Sequence, residues 1–522
     1  MNNVSNKSLG TFIIAVLIVL ISPASFGAVI SKEATTSCSN VDYALGWNAR
    51  ENAKRGDAAW SALVKKPLHG KISGWFGQTS ASCGDDVDLH LSGNNRAVKI
   101  TMYRMGYYKG DLARPIFTQL IPKIAPTLIP TILSNQTHLT STHWPTTTTI
   151  HIDENYPTGV YMARFDDGGY AGYAPLIIRN DKITSDFVMV AATLTWQAYN
   201  TMGGWSLYHG PNPKIASPGT VVSFNRPYDR DGKSDYTIND AGIVQTLESM
   251  GLDTSYTDDI YLNNHPSTLL GHRTVIYDGH PEYWTSAMRD GAIAARDSGV
   301  NLLFLGANSA YWRVQLDGSS REITCWKGSP NDPNIANPLL ITNKWGQYPT
   351  EFNESELMGA SMAGIGVNGD YTVTNGDVWP ILGSGLVTGD VIHGIVGKEV
   401  ETTDIGIAPA LQTFLSSSVS IAGTAFNVNL SYYTAASYAG VIDVGTSGWV
   451  CSITSTCSWK NSADANTKIQ VLAITKQILL GSQLGPLGEY FAESANIPKR
   501  TKLAPICIGK CRTDLPNQLA TN

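Results

Sequence analysis

Residues 273–308 read RTVIYDGHPEYWTSAMRDGAIAARDSGVNLLFLGAN. Two short apolar runs, 273–277 and 300–305, enclose a predicted helix at 286–298. Apolar runs of this length that alternate with helices are typical of buried parallel strands. The stretch therefore predicts a strand–helix–strand unit of an α/β domain with a mostly parallel sheet.

Polar loops follow both predicted strands. The first loop, 279–284, contains His280, Pro281 and Glu282, and the second, 306–308, ends at Asn308. Ligands of parallel sheets bind in the crevice beyond the carboxyl ends of the strands, so we expect both loops to face one site. A polar, Pro- and Asn-rich stretch, 319–356, predicts a long loop over the same face.

The segment from about residue 70 to 182 has another pattern. Short runs in which apolar and polar residues alternate, such as 87–91 and 98–103, are separated by turn residues, as in an antiparallel β-sandwich. We therefore predict an α+β multidomain chain with an immunoglobulin-like sandwich before the α/β domain, and an amphipathic helix at 468–480 that covers the sheet. The predicted units are a signal peptide at 1–27, the sandwich at 28–182, the α/β domain at 183–500 and a tail at 501–522.

The N-terminus predicts export. Lys7 precedes an apolar stretch, 11–21, and the small residues at 25–27 complete a secretory signal peptide that is cleaved near Ala28. The mature chain is then secreted or periplasmic, and an uncleaved membrane anchor is the alternative. No later stretch approaches ~18 apolar residues, so we predict no membrane span in the mature protein.

Seven cysteines, none in a C-x-x-C pattern, fit an oxidising compartment better than a metal cluster. The sequence predicts two local disulfides and leaves one further candidate pair near the mature N-terminus: Cys451–Cys457, Cys507–Cys511, and Cys38 with Cys83. Cys325 is predicted to be the free cysteine because its neighbours are apolar. A nucleophilic Cys325 is the alternative.

Composition and charge exclude two classes of protein. With 43% hydrophobic and 15% charged residues, the chain is not globally disordered. Its formal net charge is -6, and it has no basic run. Nucleic-acid binders concentrate basic charge in order to displace counterions, so nucleic acid is not an expected partner.

Several motifs resemble those of the large (β) subunit of N,N-dimethylformamidase and its relatives. They stand in the family's order, at 102–110, 196–204, 225–228, 279–284 and 306–313. The resemblance runs from about residue 70 to 480. It implies an α/β domain similar to class I glutamine amidotransferases. It also implies hydrolysis of a formamide at a mononuclear iron that two tyrosines and a glutamate hold.

This resemblance suggests metal ligands. A ferric ion prefers anionic oxygen donors such as phenolates and carboxylates. Tyr283, in the His-Pro-Glu-Tyr loop at a strand end, is the best candidate for one phenolate, with packing beside Trp284 as the alternative. Tyr228 and Tyr311 are candidates for the second phenolate, and Glu354 is the candidate carboxylate.

Three residues are candidates for catalysis. His280 and Glu282 flank Tyr283, and either would orient a water as a general base. Asn308 stands on the turn where a glutamine-amidotransferase-like hydrolase carries its cysteine nucleophile. An amide is a poor nucleophile, so we expect Asn308 to hold the loop by hydrogen bonds rather than to form a covalent bond.

Two other motifs have weaker interpretations. Residues 364–369 match G-x-G-x-x-G but follow no predicted strand, so they predict a turn and no dinucleotide site. Residues 229–235 alternate carboxylates around a glycine, a pattern compatible with a calcium loop or with a polar turn. Neither G-x-S-x-G nor H-E-x-x-H occurs, which disfavours serine hydrolases and zincins.

Two functions remain open from the sequence. The first is a secreted, formamidase-like hydrolase of C–N bonds in small amides that depends on Fe(III). The second is a noncatalytic secreted or envelope binding protein with the same fold and an unknown ligand. The sequence leaves open whether the chain forms a homo-oligomer or requires a small subunit.

Overall fold

The computed structural model describes residues 38, 41–62, 71–127, 130–182, 184–212, 217–406, 409–457 and 463–491. The predicted signal peptide and the predicted Cys507–Cys511 pair lie outside the described residues. The fold is α+β with mixed sheets. Within the described residues, no helix is long and apolar enough to cross a membrane.

The N-terminal part consists of ten strands, β1 Ser73–Phe76, β2 Ser80–Ala81, β3 Asp86–Ser92, β4 Arg96–Met105, β5 Ala113–Ile124, β6 Thr131–Ile132, β7 Thr140–Ser141, β8 Thr148–His151, β9 Gly159–Asp166 and β10 Ala171–Ile178. Strands β1, β3 and β8 form one sheet, and β2, β10, β9, β4 and β5 form a second. Side chains from both sheets, such as Leu89 and Phe165, share one apolar core.

The alternating runs explain these two sheets. In β3, Val87, Leu89 and Leu91 are buried, whereas Asp86 and Asp88 point outward, as the two-residue period of a strand requires. All pairs in both sheets are antiparallel except β2 with β10. The immunoglobulin-like form of the sandwich and the boundary near residue 182 stay predictions.

The remaining strands are β11 Phe187–Ala191, β12 Val221–Ser223, β13 Thr254–Asp258, β14 Thr274–Gly279, β15 Tyr283–Trp284, β16 Asn301–Gly306, β17 Trp312–Arg313, β18 Gln315–Leu316, β19 Glu322–Thr324, β20 Ser361–Val373, β21 Val391–Thr402, β22 Gln412–Ile421, β23 Thr424–Thr434 and β24 Gly440–Asp443. Nine of them form the main sheet in the order β13-β11-β14-β16-β24-β23-β22-β20-β21.

The main sheet is mixed, which corrects the prediction of a mostly parallel sheet. The five strands from β13 to β24 are parallel, and the other four join them in antiparallel pairs. Only Ala422 and Gly423 separate β22 from β23, and both have positive φ. A tight turn of this kind joins antiparallel strands, whereas a parallel pair needs a crossover of about a dozen residues.

The G-x-G-x-x-G match also differs from its prediction. Residues 364–369 lie inside strand β20 rather than in a turn, and the pairing of β20 with β21 is irregular between Met362 and Gly364 and between Ile365 and Val367. Glycines in strands often mark such bulges. The glycines of this G-x-G-x-x-G match therefore accompany the irregular pairing of β20 with β21.

The α-helices are α1 Trp47–Asn52, α2 Thr193–Tyr199, α3 Ser234–Asn239, α4 Ala241–Met250, α5 Asp259–Asn264, α6 Ser286–Asp297, α7 Ser355–Met358, α8 Gly448–Thr454 and α9 Ala465–Ser482. Helix α6 lies between β14 and β16 and confirms the predicted strand–helix–strand unit. The Thr285 side chain caps it by accepting from Met288 N. Helix α9 confirms the predicted late helix.

The disulfide pattern confirms the cysteine prediction where it is described. Cys38–Cys83 and Cys451–Cys457 are bonded, and Cys325 is free and buried. Burial raises the pKa of the Cys325 thiol to about 12. A thiol in this state is a poor nucleophile, which argues against a catalytic Cys325.

A buried ion pair joins the N-terminal sheets to the helices of the main sheet. Arg104 on β4 and Glu248 on α4 are both fully buried, and the two guanidinium Nη atoms lie 2.8 Å from the two carboxylate oxygens. Tyr256 on β13 also donates to Glu248, at 2.8 Å. The pair therefore fixes how the N-terminal sheets rest on α4.

Candidate functional site

The carboxyl ends of three parallel strands supply the candidate site. Helix α2 follows β11, the loop 279–284 follows β14, and Asn308 follows β16. The two loops meet as predicted, because Ala310 N donates to Pro281 O and Trp312 N donates to Glu282 O, each at 2.9 Å.

Glu282 is the centre of the site. Its carboxylate is fully buried. Tyr199, the last residue of α2, donates its hydroxyl to Oε2 at 2.8 Å, and the hydroxyl of Tyr208, in the loop beyond α2, donates to Oε1. The backbone N–H of Glu282 donates to Thr195 Oγ1 at 3.0 Å, which ties the loop to α2. Two phenols therefore converge on one carboxylate.

His280 lies between two carboxylates. Its Nε2 is 3.2 Å from Glu282 Oε2. Its Nδ1 is 2.9 Å from Ala307 O and 2.9 Å from Glu399 Oε2. The contact with the carbonyl oxygen has the geometry of a hydrogen bond, whereas the contact with Glu399 is an ion pair. Burial opposes the charge on His280, but the Glu399 carboxylate and the contact with Glu282 outweigh it and raise the pKa of His280 to about 10. His280 is therefore protonated at neutral pH and acts as a donor.

This charge state predicts how stability depends on pH. A histidine whose folded pKa lies above its unfolded value of 6.5 stabilises the protein fully below that value and loses its effect as pH rises through about 10. The stability difference between wild type and His280→Gln should therefore shrink between pH 6.5 and 10. Urea unfolding of both proteins across this range measures it. A difference that stays constant to pH 10.5 would contradict the assigned charge.

Asn308 and Glu399 complete the polar side of the site. Asn308 has a φ of 58°, and its Oδ1 is buried with no hydrogen-bond partner among the described residues. The turn is held because Ser309 N donates to Glu401 Oε1 at 2.8 Å. Burial opposes ionisation of Glu399 on β21, yet the His280 charge lowers the pKa of Glu399 below its ordinary value. The Glu399 carboxylate therefore lies beside His280, and the Asn308 amide lies beside Glu399.

An aromatic cluster holds a lysine beside the phenols. Lys327 Nζ lies 3.2 Å from the ring centre of Tyr208, 4.9 Å from that of Trp312 and 5.6 Å from that of Tyr283. Trp312 Nε1 donates to the Tyr208 hydroxyl at 3.1 Å. Burial lowers the pKa of Lys327 to about 8. The long loop at 319–356 therefore contributes a cation to the site.

The donor set fits a hard trivalent cation. Burial and the Glu282 charge raise the pKa of Tyr199 and of Tyr208, so both phenols keep their protons and share the carboxylate. A cation bound to these oxygens would replace the two protons, because positive charge favours the phenolate forms. Two phenol oxygens and one carboxylate are oxygen donors of the kind that ferric iron prefers.

The structure brings together only some of the residues expected from the sequence. His280, Glu282 and Asn308 lie together. The Tyr283 ring centre is 6.3 Å from that of Tyr208, and the buried Tyr283 hydroxyl has no hydrogen-bond partner of normal geometry in the described part of the chain. Tyr311 contacts Glu282 through its backbone N–H, while its ring packs against Trp312 and below Lys344.

Tyr228 and Glu354 have other surroundings. Tyr228 lines a separate cavity together with Arg226 and Arg321. Glu354 is buried just before α7, where burial raises the pKa of its carboxyl to about 7. No described contact joins either side chain to Glu282, so neither shares the cluster of Tyr199 and Tyr208.

The residues at 229–235 are held by the chain itself. Asp229 accepts from the backbone N–H and the hydroxyl of Thr201, and Asp231 forms an ion pair with Lys233 at 2.6 Å. These contacts engage two of the three carboxylates of the pattern, and the third, Asp235, lies in the first turn of helix α3. The arrangement favours a polar turn that leads into α3.

Sequence reasoning missed Tyr199, Tyr208, Glu399 and Lys327. The sequence contained a signal for Tyr199, because this residue lies in the family-like motif at 196–204. The sequence contained no signal for Glu399, because strand β21 was not predicted. Tyr208 and Lys327 lie in irregular loops, where no periodicity marks a side chain that points inward.

A family model described as N,N-dimethylformamidase beta subunit-like, C-terminal, matches residues 99–464. No curated protein matches the chain. The matched region covers more than half of the sequence and contains Tyr199, Tyr208, Glu282 and Glu399. The chain therefore belongs to the N,N-dimethylformamidase beta subunit-like family.

Proposed function

We propose that the protein is a secreted or periplasmic hydrolase of C–N bonds in small amides that depends on ferric iron. The convergence of Tyr199 and Tyr208 on the buried Glu282 carries this proposal. Membership of the family supports amide hydrolysis, and the two disulfides are compatible with an oxidising compartment.

Tyr199, Tyr208 and Glu282 would hold the iron. This assignment replaces Tyr283, Tyr228, Tyr311 and Glu354. The hydroxyls of Tyr199 and Tyr208 both donate to Glu282, whereas the other four side chains have no described hydrogen bond to that carboxylate. When bound, a metal ion of this kind polarises the amide carbonyl and lowers the pKa of water.

The surrounding residues can move the required protons. Hydrolysis adds water to the carbonyl carbon, breaks the C–N bond and delivers one proton to the leaving amine. Glu399 is ionised and can accept a proton from the attacking water, whereas His280 is protonated and can donate one to the amine nitrogen. Asn308, through its unpaired Oδ1, can orient the water or a substrate N–H.

Burial restricts the substrate. Glu282 is fully buried, and His280 and Asn308 are 6% and 4% exposed. A macromolecular chain cannot reach side chains this deep without moving the loops above them. The site therefore favours amides of a few non-hydrogen atoms, such as formamides.

A matched pair of tyrosine variants tests the ligand assignment. Tyr199→Phe removes a proposed ligand oxygen and should abolish most bound iron and the visible phenolate-to-iron colour. Tyr228→Phe removes the hydroxyl of a tyrosine that lines a separate cavity and should retain both. Iron content and visible absorption of protein from iron-replete cells measure the difference. Equal retention of iron and colour in both variants would contradict the assignment of the ligands. A wild-type protein that contains no iron and releases no amine from formamides would favour the binding-protein alternative.

A further inference from the structure

A second polar site contains the arginines Arg226 and Arg321. Arg226 follows β12 and is 1% exposed. Its Nη1 donates to Met202 O at 2.7 Å and to Trp205 O at 2.8 Å, and its Nη2 donates to Asn200 O at 3.0 Å. Its Nε is buried and has no hydrogen-bond partner among the described residues. Three of the five guanidinium N–H groups are therefore used, and the Nε–H is among the two that remain.

Arg321, just before β19, approaches the same region from the opposite chain segment. Its Nε donates to Asn225 Oδ1 at 2.9 Å and its Nη2 to Phe76 O at 3.0 Å. Its guanidinium carbon lies 5.9 Å from the ring centre of Trp75 and 5.5 Å from that of Phe224. Within the described part of the chain, no carboxylate forms an ion pair with Arg321 or with Arg226.

Both arginines line one cavity between the N-terminal sheets and the main sheet. The cavity has a volume of about 20 Å³, and its other walls include Trp75, Phe76 and Tyr228. A volume above roughly 10–15 Å³ suffices for one water-sized occupant. No acidic side chain is among the described residues that line this cavity, so the two guanidinium groups are its charged groups.

The positive charges of Arg226 and Arg321 at this cavity favour binding of a negatively charged group. Burial lowers the pKa of Arg226 and of Arg321 to about 10, so both stay charged at neutral pH. A buried charge with only neutral hydrogen-bond partners is costly, and a counterion removes much of that cost. Asp229, Asp258 and Asp317 offset this charge only from a longer range, because no described carboxylate lies within ion-pair distance of either arginine.

We propose that this cavity binds a small monovalent anion of about the size of chloride, with Arg226 Nε and the guanidinium of Arg321 as donors. The anion would neutralise charge where Phe76, at the end of β1, meets the segment after β12 and the segment before β19. Because its donors differ from those of the Glu282 cluster, the inference stands independently of the proposed hydrolase activity. A halide and a short carboxylate share the required chemistry.

Thermal unfolding of the wild-type protein tests the site. Melting temperatures are measured in sodium gluconate with increasing chloride, bromide or formate at constant ionic strength. A ligand that binds only the folded state raises the melting temperature with its concentration. We expect chloride and bromide to do so and the bulky gluconate not to. A rise with formate as well would extend the site to short carboxylates, and identical melting in all salts would overturn the proposal.

Two further measurements locate the anion. A crystal soaked in bromide should show an anomalous peak in the cavity, and this result does not depend on any variant. Arg321→Gln should raise the half-saturating chloride concentration about tenfold or more, because it removes a charged donor. Arg230→Gln, an exposed arginine near the same segment, should not change it. A cavity without bromide, or an equal response of both variants, would overturn the assignment.

Discussion

Glu282→Gln is expected to lower kcat/KM for amide hydrolysis by about a thousandfold, because metal catalysis contributes several kcal/mol and each 1.36 kcal/mol is a factor of ten. The neutral amide keeps the size of the side chain and can still accept from Tyr199, but it loses the negative charge that two phenols and His280 share. Bound iron should fall in parallel.

Glu354→Gln is the matched control for this prediction. Glu354 is also buried, but it lies outside the cluster, and burial raises its pKa to about 7, so a large share of the carboxyl is already neutral at pH 7. We expect near wild-type activity and iron content. Amine release from formamides and iron analysis measure both variants. If Glu354→Gln lost iron and Glu282→Gln did not, the carboxylate would be the one suggested by the sequence.

Glu248→Gln is expected to destabilise the fold by about 3–5 kcal/mol, because it leaves the guanidinium of Arg104 buried beside a neutral amide. Arg104 is fully buried and its partner supplies two hydrogen bonds of 2.8 Å. The lost interactions join β4 to α4, so the N-terminal sheets should loosen together with the helix.

Guanidinium chloride unfolding measures this loss. Asp297→Asn removes a carboxylate that is 56% exposed and pairs with Arg296, and it should hardly move the midpoint. A Glu248→Gln loss as small as that of the surface variant would show that the Arg104–Glu248 pair does not hold the sheets together.

Local patterns predicted the parts of the fold that depend on local interactions. The strand–helix–strand unit at 273–308 was predictable because a buried strand, a capped helix and a second buried strand each leave a periodic signal. Strands β20 to β23 were not predicted. Glycines interrupt β20 and β21, and serines fill the middle of β22, so the apolar pattern is weak and these segments become strands through pairing with other segments.

The sequence suggested the residue types of the proposed site, but it did not suggest which tyrosines and which glutamate form it. The family resemblance implies two tyrosines and a glutamate, and the loop at 279–284 was expected at the correct sheet edge. Tyr199, Tyr208 and Glu282 come from separate loops and a helix end, and only the three-dimensional fold decides which oxygens meet. Tyr283 was favoured because it stands in the His-Pro-Glu-Tyr loop at a strand end. Adjacent residues of an extended segment point in opposite directions, so this position does not direct the Tyr283 side chain toward that of Glu282.

Resonance Raman spectroscopy of the wild-type protein from iron-replete cells tests the central claim most directly. Excitation within the visible absorption band should enhance the ring vibrations of tyrosinate bound to ferric iron, and Tyr199→Phe should remove or shift them. Protein with stoichiometric iron but no tyrosinate bands, or with bands unchanged in Tyr199→Phe, would contradict the proposal that Tyr199, Tyr208 and Glu282 form an iron site.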